Sequence, residues 1–276
     1  MKSIFQNDVR YPCGNTLSRL AMQAIEDIDG NNISDSYLKK NEDKGAGFHN
    51  SIFVDKDITD LFESGELYTR ISDGSFKDLF VGMHFTANYD GTDKVFRIAG
   101  FNIYKSSSGI YSNHAVIVPD STLRSNSMMD TNSTTGGYKS SVMKTDILDG
   151  DTGVYEKLNS IFGSHMFSYH IKITNTVNST TGVSSSSLSV ISYVDLMSEM
   201  DVFGSIINSS SRHDIGSDRT QLPLFTLAPE YISCGSMWWL RGIASMTQYA
   251  YVTLMGYSDI DLASNIKYIR PRFLIG

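Results

Sequence analysis

The stretch from Trp238 to Gly276 constrains the fold most. Trp238-Trp239-Leu240-Arg241, Tyr249-Ala250-Tyr251-Val252 and Ile269-Arg270-Pro271-Arg272-Phe273-Leu274-Ile275-Gly276 gather strand-forming apolar residues and arginines at the end of the sequence. A loose terminus would be polar, so this block is expected to be core, with the fold closed from its C-terminal side. Period-two alternation predicts one buried and one exposed ring for the Trp238/Trp239 pair. Arg270 is expected to reach a buried acid or carbonyl while Pro271 fixes where the last strand begins.

Upstream, the elements are short. Leu17, Leu20, Ala21, Ala24, Ile25 and Ile28 recur at helical spacing after Asn15 or Thr16, and Asp29-Gly30 stops them. This amphipathic helix follows an aperiodic leader containing Tyr11 and Pro12, the kind of segment that another chain holds in place. Ser34 to Asn50 reads as a polar linker or surface excursion. Short elements are expected at Ile58 to Phe62, capped by Asp57, and at Phe76 to Val81. The first sustained strand is expected at Val95 to Tyr104, paired as a hairpin with His114 to Pro119. Tyr138 to Leu148 and Val154 to Phe162 read as helices, Phe167 to Val177 and Val183 to Val190 as strands, and Tyr193 to Met200 as a helix. Asn208 to Thr220 reads as a long polar loop.

Composition narrows the class of function. Apolar residues make up 41% and charged residues 19%, with Ser, Thr, Asn and Gly filling the difference, a β-rich and loop-rich balance. The formal net charge of -7 and the lack of a lysine or arginine run argue against nucleic acid as a partner. No apolar run approaches the roughly 20 residues of a membrane span, and Met1 to Phe5 lacks the apolar core of a signal peptide, so the chain is expected to be made in the cytoplasm. Cys13 and Cys234 are read as free, semi-buried thiols.

Catalytic patterns are thin. The histidines at 49, 84, 114, 165, 170 and 213 form neither a His-Glu-x-x-His pair nor a zinc spacing. There is no Gly-x-Ser-x-Gly elbow, and Asp27-Ile28-Asp29-Gly30 lacks the later acid of a calcium loop. No catalytic residue, metal or cofactor is expected, and the chain is read as a non-enzyme. Tyr249, Tyr251, Tyr257, Asp259 and Asp261 supply the aromatic and polar mixture of a binding surface between Ser245 and Asn265.

Leu222-Pro223-Leu224-Phe225, Trp239-Leu240-Arg241, Tyr249-Ala250-Tyr251-Val252 and Arg270-Pro271-Arg272-Phe273 together resemble the C-terminal half of C-type-lectin-like domains of phage proteins, related to the formylglycine-generating-enzyme-like fold. Phe96 to Phe101, Asn113 to Pro119 and Thr135 to Tyr138 resemble prophage proteins of clostridia and their relatives that carry this domain. The resemblance implies an α+β fold, with short helices around twisted antiparallel sheets. It assigns residues 51–276 to the lectin-like domain and 1–50 to an anchoring arm, helix and linker. It also implies a phage virion protein; the aperiodic leader, the amphipathic helix, the acidic charge and the lack of stalk-forming heptads or repeats point foremost to a head decoration subunit on the particle surface. Tyr11, Leu17, Leu20, Ala24 and Ile28 would then contact other virion proteins, the major capsid protein first, and the subunit would be a homo-oligomer. A tail-tip protein that recognises a host-surface glycan or protein is the alternative. Cys234 stands without the paired cysteines of the oxidising enzymes, and the carboxylate-amide set of calcium-dependent lectins is missing.

Overall fold

The C-terminal strand lies inside the largest of three sheets, which is why the arginine-rich stretch 270–275 is buried. The computed structural model describes residues 45–105, 110, 112–177, 184–209 and 220–276, with the backbone alone at 172, 174–177 and 184–189. In chain order the elements are α1 (Ala46–His49), α2 (Thr59–Glu63), α3 (Glu66–Ser72), β1 (His84–Tyr89), β2 (Thr92–Phe101), β3 (Ala115–Pro119) and β4 (Arg124–Asn126). Then come α4 (Val154–Phe162), β5 (Met166–Phe167), β6 (Tyr169–Val177), β7 (Ser184–Ser192), β8 (Val194–Leu196), α5 (Glu199–Phe203) and α6 (Pro223–Leu227). The chain finishes with β9 (Trp238–Ile243), β10 (Gln248–Val252), β11 (Ser258–Leu262), β12 (Lys267–Ile269) and β13 (Pro271–Ile275). The fold is mixed α+β, mostly sheet with few and short helices.

One sheet runs β1-β2-β3-β13-β5, with β8 also paired to β13, and the second runs β11-β10-β9-β12-β4. Strands β6 and β7 form a separate two-stranded ribbon. The chain crosses between the two main sheets at Arg270, the single residue between β12 and β13. Its guanidinium donates to the carbonyls of Pro119 (2.8 Å) and Tyr231 (2.6 Å), so it closes the junction through backbone acceptors, as expected. Pro271 opens β13 at a position paired with Leu196.

Local chemistry explains the hairpins. Asp90 and Gly91 both take positive φ (54° and 79°), the geometry of a two-residue turn whose twist matches the strands it joins. This turn makes β1, a strand that the sequence reading omitted although Asp-Gly is a strong hairpin signal. Between β2 and β3 the register slips from Ile98 to Gly100. A Cβ on Gly100 would stand 2.9 Å from Ile103 and 3.0 Å from Pro223, so the bulge lets the strand pass close under α6. Gly100→Ala is expected to lower stability by about 1–3 kcal/mol through overpacking, read as a reduced urea midpoint at unchanged slope.

The core between the elements is aromatic. Phe62 stacks on Phe85 at 4.6 Å, Phe162 meets Phe273 at 4.9 Å, and Phe96 meets both Phe162 and Phe273 edge-on. These contacts hold α2 and α4 against the six-stranded sheet.

Several local expectations are corrected. Tyr193 to Met200 is not a helix: residues 194–196 pair with β13, and the helix begins only after Ser198. Leu196, Met197 and Met200 mimic helical spacing, but burial against the last strand outweighs it. The capping box of Ser198 and Asp201 marks the true start. Phe76 to Val81 forms no regular element, because Phe76 and Asp78 adopt positive φ of 47° and 57°. Tyr138 to Leu148 splits into a tight turn at Tyr138–Ser140 and a wide, π-type turn at Met143–Leu148. Residues 46–50 are structured: α1 buries His49, and the Asn50 amide bonds both the N–H and the carbonyl of Phe101.

Both tryptophan rings are buried, which corrects the expectation of one exposed ring. Every residue of β9 is buried, so both faces of the strand are covered. Trp239 donates to the Asn126 carbonyl (2.9 Å) beneath Tyr251, and Trp238 donates to Ile232 (3.3 Å) beside Arg270.

Candidate functional site

The antiparallel hairpin β10–β11 carries most of the residues that the sequence singles out as a binding surface. Its register pairs Tyr249 with Asp261 and Tyr251 with Asp259, so period-two alternation sets all four on one face. On the other side of β10, Tyr249 pairs with Ile243 and Tyr251 with Trp239, with a register slip between them. Tyr257 sits beyond the strands, in the turn from Thr253 to Tyr257 that Gly256 closes with φ 82°.

Burial divides this set. Tyr249 is fully buried and is corrected from a surface residue to a core residue. Tyr251 is 9% exposed, so little more than the edge of its ring reaches water. Tyr257 is 68% exposed, and Asp259 is exposed beside the same hairpin. The half-buried Asp261 pairs with Lys267 at 2.5 Å.

Lys267 was missed, because nothing local marks it: it follows a turn as an isolated lysine. It is 6% exposed, lies 3.9 Å from the Tyr251 ring centroid and 5.2 Å from that of Trp239. Aromatic faces and one carboxylate thus hold the ammonium. Burial works to raise the Asp261 pKa, but bonds from Lys267, the Leu262 N–H and Asn265 outweigh it and hold the carboxyl below its usual range. Burial, and then the bond to Asp259, pushes the Tyr251 hydroxyl up, so it remains a donor, at 3.1 Å from Asp259. Asp259 also accepts from the Ile260 N–H (2.8 Å). These groups satisfy one another through hydrogen bonds within the face.

Apolar side chains project around that face. Leu254 (53% exposed), Met255 (76%) and Tyr257 occupy one turn. Met237 flanks the turn, since Val252 pairs with Trp238, and the half-exposed Tyr268 donates its N–H to the Met237 carbonyl. Ile266, Leu262 and Met246 project near the opposite end of the hairpin. Ser264 there bonds Asn132 through its N–H and hydroxyl, and Thr134 binds the carbonyls of Ser245 and Met246. The arrangement offers ring edges, thioethers and one accessible carboxylate on a sheet fixed by two tryptophans, which suits contact with another surface.

Other chemistry lies elsewhere. Among the described residues no group of three or more His, Cys, Asp or Glu is placed to hold a metal ion, and no helix is long and apolar enough to cross a membrane. Cys234 is a half-buried free thiol, as expected. His49 bonds the Leu79 carbonyl, and His165 stacks on Tyr68 with ring centroids 3.7 Å apart. Phe62, Tyr68, Thr69 and Ile161 line an open cleft of about 610 Å³ whose lining includes none of Tyr249, Tyr251, Tyr257, Asp259 and Asp261. Tyr11, Leu17, Leu20, Ala24 and Ile28 lie outside the described residues. Comparison with protein-family models, with curated proteins and with solved structures finds no match to this chain.

Proposed function

We propose that this chain is a non-enzymatic structural protein of a bacteriophage particle, a head decoration subunit that displays a C-type-lectin-like domain. The observation that carries the reading is the exposed apolar turn of Leu254, Met255 and Tyr257, presented by a sheet whose own core is complete. A surface of that kind is retained where another macromolecule covers it. The Trp239-Leu240-Arg241 strand and the closing Arg270-Pro271-Arg272-Phe273 strand, on which the lectin-like resemblance rests, occupy central strands of the two main sheets. The major capsid protein is the proposed partner through the N-terminal arm, with copies of the chain as neighbours on the particle surface.

The grouping of Tyr257 with Asp259 on the same hairpin favours a second reading: a tail-tip protein that contacts a host glycan or protein through this face. Gold label against the chain separates the two. Label spread over the head is expected; label confined to the tail tip rejects decoration, and purified particles without label reject a virion role. Met255→Ser with Tyr257→Ser is expected to remove about 2 kcal/mol or more of association free energy. If the hairpin packs within the shell, occupancy on purified particles falls. If it meets the host, occupancy stays full and adsorption to cells drops.

A further inference from the structure

The wide turn at Met143–Leu148 holds one lysine in the interior. Lys144 is 3% exposed, and its Nζ stands 3.4 Å from Asp195 Oδ1, 2.9 Å from Asp149 Oδ1, 2.5 Å from Ser192 Oγ and 3.1 Å from the Val194 carbonyl. Asp195 has no exposure at all. It sits in β8, fixed by pairing with Arg272 of β13, while the Asp149 N–H bonds the Lys144 carbonyl across the turn. Tyr138, also fully buried, donates its hydroxyl to Asp195 Oδ1 at 3.3 Å and accepts the Leu196 N–H at 3.0 Å. Tyr169 and Arg241 complete the surroundings of the carboxylate. An amine and a carboxyl are thus confined at near-reaction distance in the interior, with a second carboxyl, 46% exposed, on the amine.

We propose that Lys144 and Asp195 condense to an intramolecular isopeptide bond, with Asp149 as the base on the amine. One proton of the ammonium passes to Asp195 Oδ1, 3.4 Å from Nζ, leaving a neutral amine and a neutral acid. Lys144 Nζ attacks Asp195 Cγ. Asp149, 2.9 Å from Nζ, accepts a second proton from the nitrogen and gives one up, and the departing oxygen takes one up and leaves as water together with the first. The third proton stays on the amide nitrogen. Asp149 ends as it began, and no oxidant, metal or cofactor enters the balance. Confinement replaces the activation that such a condensation needs in water, and Tyr138 polarises the acid that is attacked. Burial raises the Asp149 carboxyl pKa, which suits a group that must hold a proton in transit. The reaction also removes two buried charges whose desolvation is costly. The product ties the 143–148 turn covalently to β8 and, through it, to the last strand.

The intact mass of the purified full chain decides the matter. A mass one water below that of the sequence is expected, together with a branched tryptic peptide that contains Lys144 and Asp195 and is uncleaved after Lys144. Lys144→Arg and Asp149→Asn are expected to return the chain to the full sequence mass. A wild-type chain at full sequence mass after prolonged incubation at neutral pH, with cleavage after Lys144, overturns the proposal and leaves an ion pair. This outcome does not depend on whether either variant folds.

Discussion

Asp201→Ala is expected to destabilise the protein by about 3–5 kcal/mol, seen as a large drop in the urea midpoint. Asp201 is 3% exposed and lies between the two main sheets. Its carboxylate accepts from Arg272 of β13 at 2.5 Å, from the Ser198 N–H and hydroxyl at 2.7 and 2.8 Å, and from the Tyr104 hydroxyl at 3.3 Å. Arg241 of β9 lies 3.7 Å away, so a single acid faces an arginine from each sheet. Burial weighs on these charges, pushing the Asp201 carboxyl up and the Arg272 guanidinium down from their ordinary values. Alanine would leave Arg272 charged and buried between the rings of Tyr104 and Tyr169, and it would remove the acceptor of the α5 capping box. Asp201→Asn keeps an acceptor and should cost less than Asp201→Ala. A loss below about 1 kcal/mol for alanine would show that the sheets are held by apolar packing alone.

Acidification from pH 6.5 to about 4 is expected to cost the folded state about 3 kcal/mol through His114 alone. The ring is fully buried, and burial lowers its pKa from 6.5 to about 4, assisted by the nearby Lys105 charge and opposed by the bond to Ser112. A neutral ring satisfies both neighbours: Nδ1–H donates to the Ser112 carbonyl, and Nε2 accepts the Tyr104 N–H, each at 3.2 Å. Between those pH values the unfolded chain binds a proton that the folded chain excludes. Stability is therefore intact above about pH 6.5 and declines as the pH falls toward 4. Chemical denaturation of wild type and His114→Gln across this window tests the claim. The variant should lose the His114 share of the acid slope, and parallel slopes would reject it.

Parts of the fold were legible because they depend on neighbours in sequence. The β2–β3 hairpin, α4, the β6–β7 ribbon and the buried C-terminal strand all carry a local pattern of apolar spacing and turn residues. Strand β1 is legible too, through the Asp90-Gly91 turn signal. Strand β8 was not, since Val194, Asp195 and Leu196 are too few to show a period and form a strand only because β13 is beside them. The binding face was half legible. Aromatic and acidic residues at alternate positions named the hairpin, but alternation alone cannot tell which end of it is covered. Tyr249 is buried and Tyr257 exposed for reasons that lie in β9 and the turn.

By itself the sequence determined a β-rich chain with a buried C-terminus, an acidic balance, an arginine before the closing proline and a tyrosine–aspartate hairpin. These follow from composition and short-range periodicity, which act over a few residues. Tertiary structure alone decided that both tryptophans are internal, that Lys267 neutralises Asp261, that Asp201 joins two sheets and that Lys144 faces Asp195. Apart from Lys267 and Asp261, which lie six residues apart, these depend on residues distant in sequence, and burial makes the pairing of charges obligatory without leaving a local trace of which partners will meet.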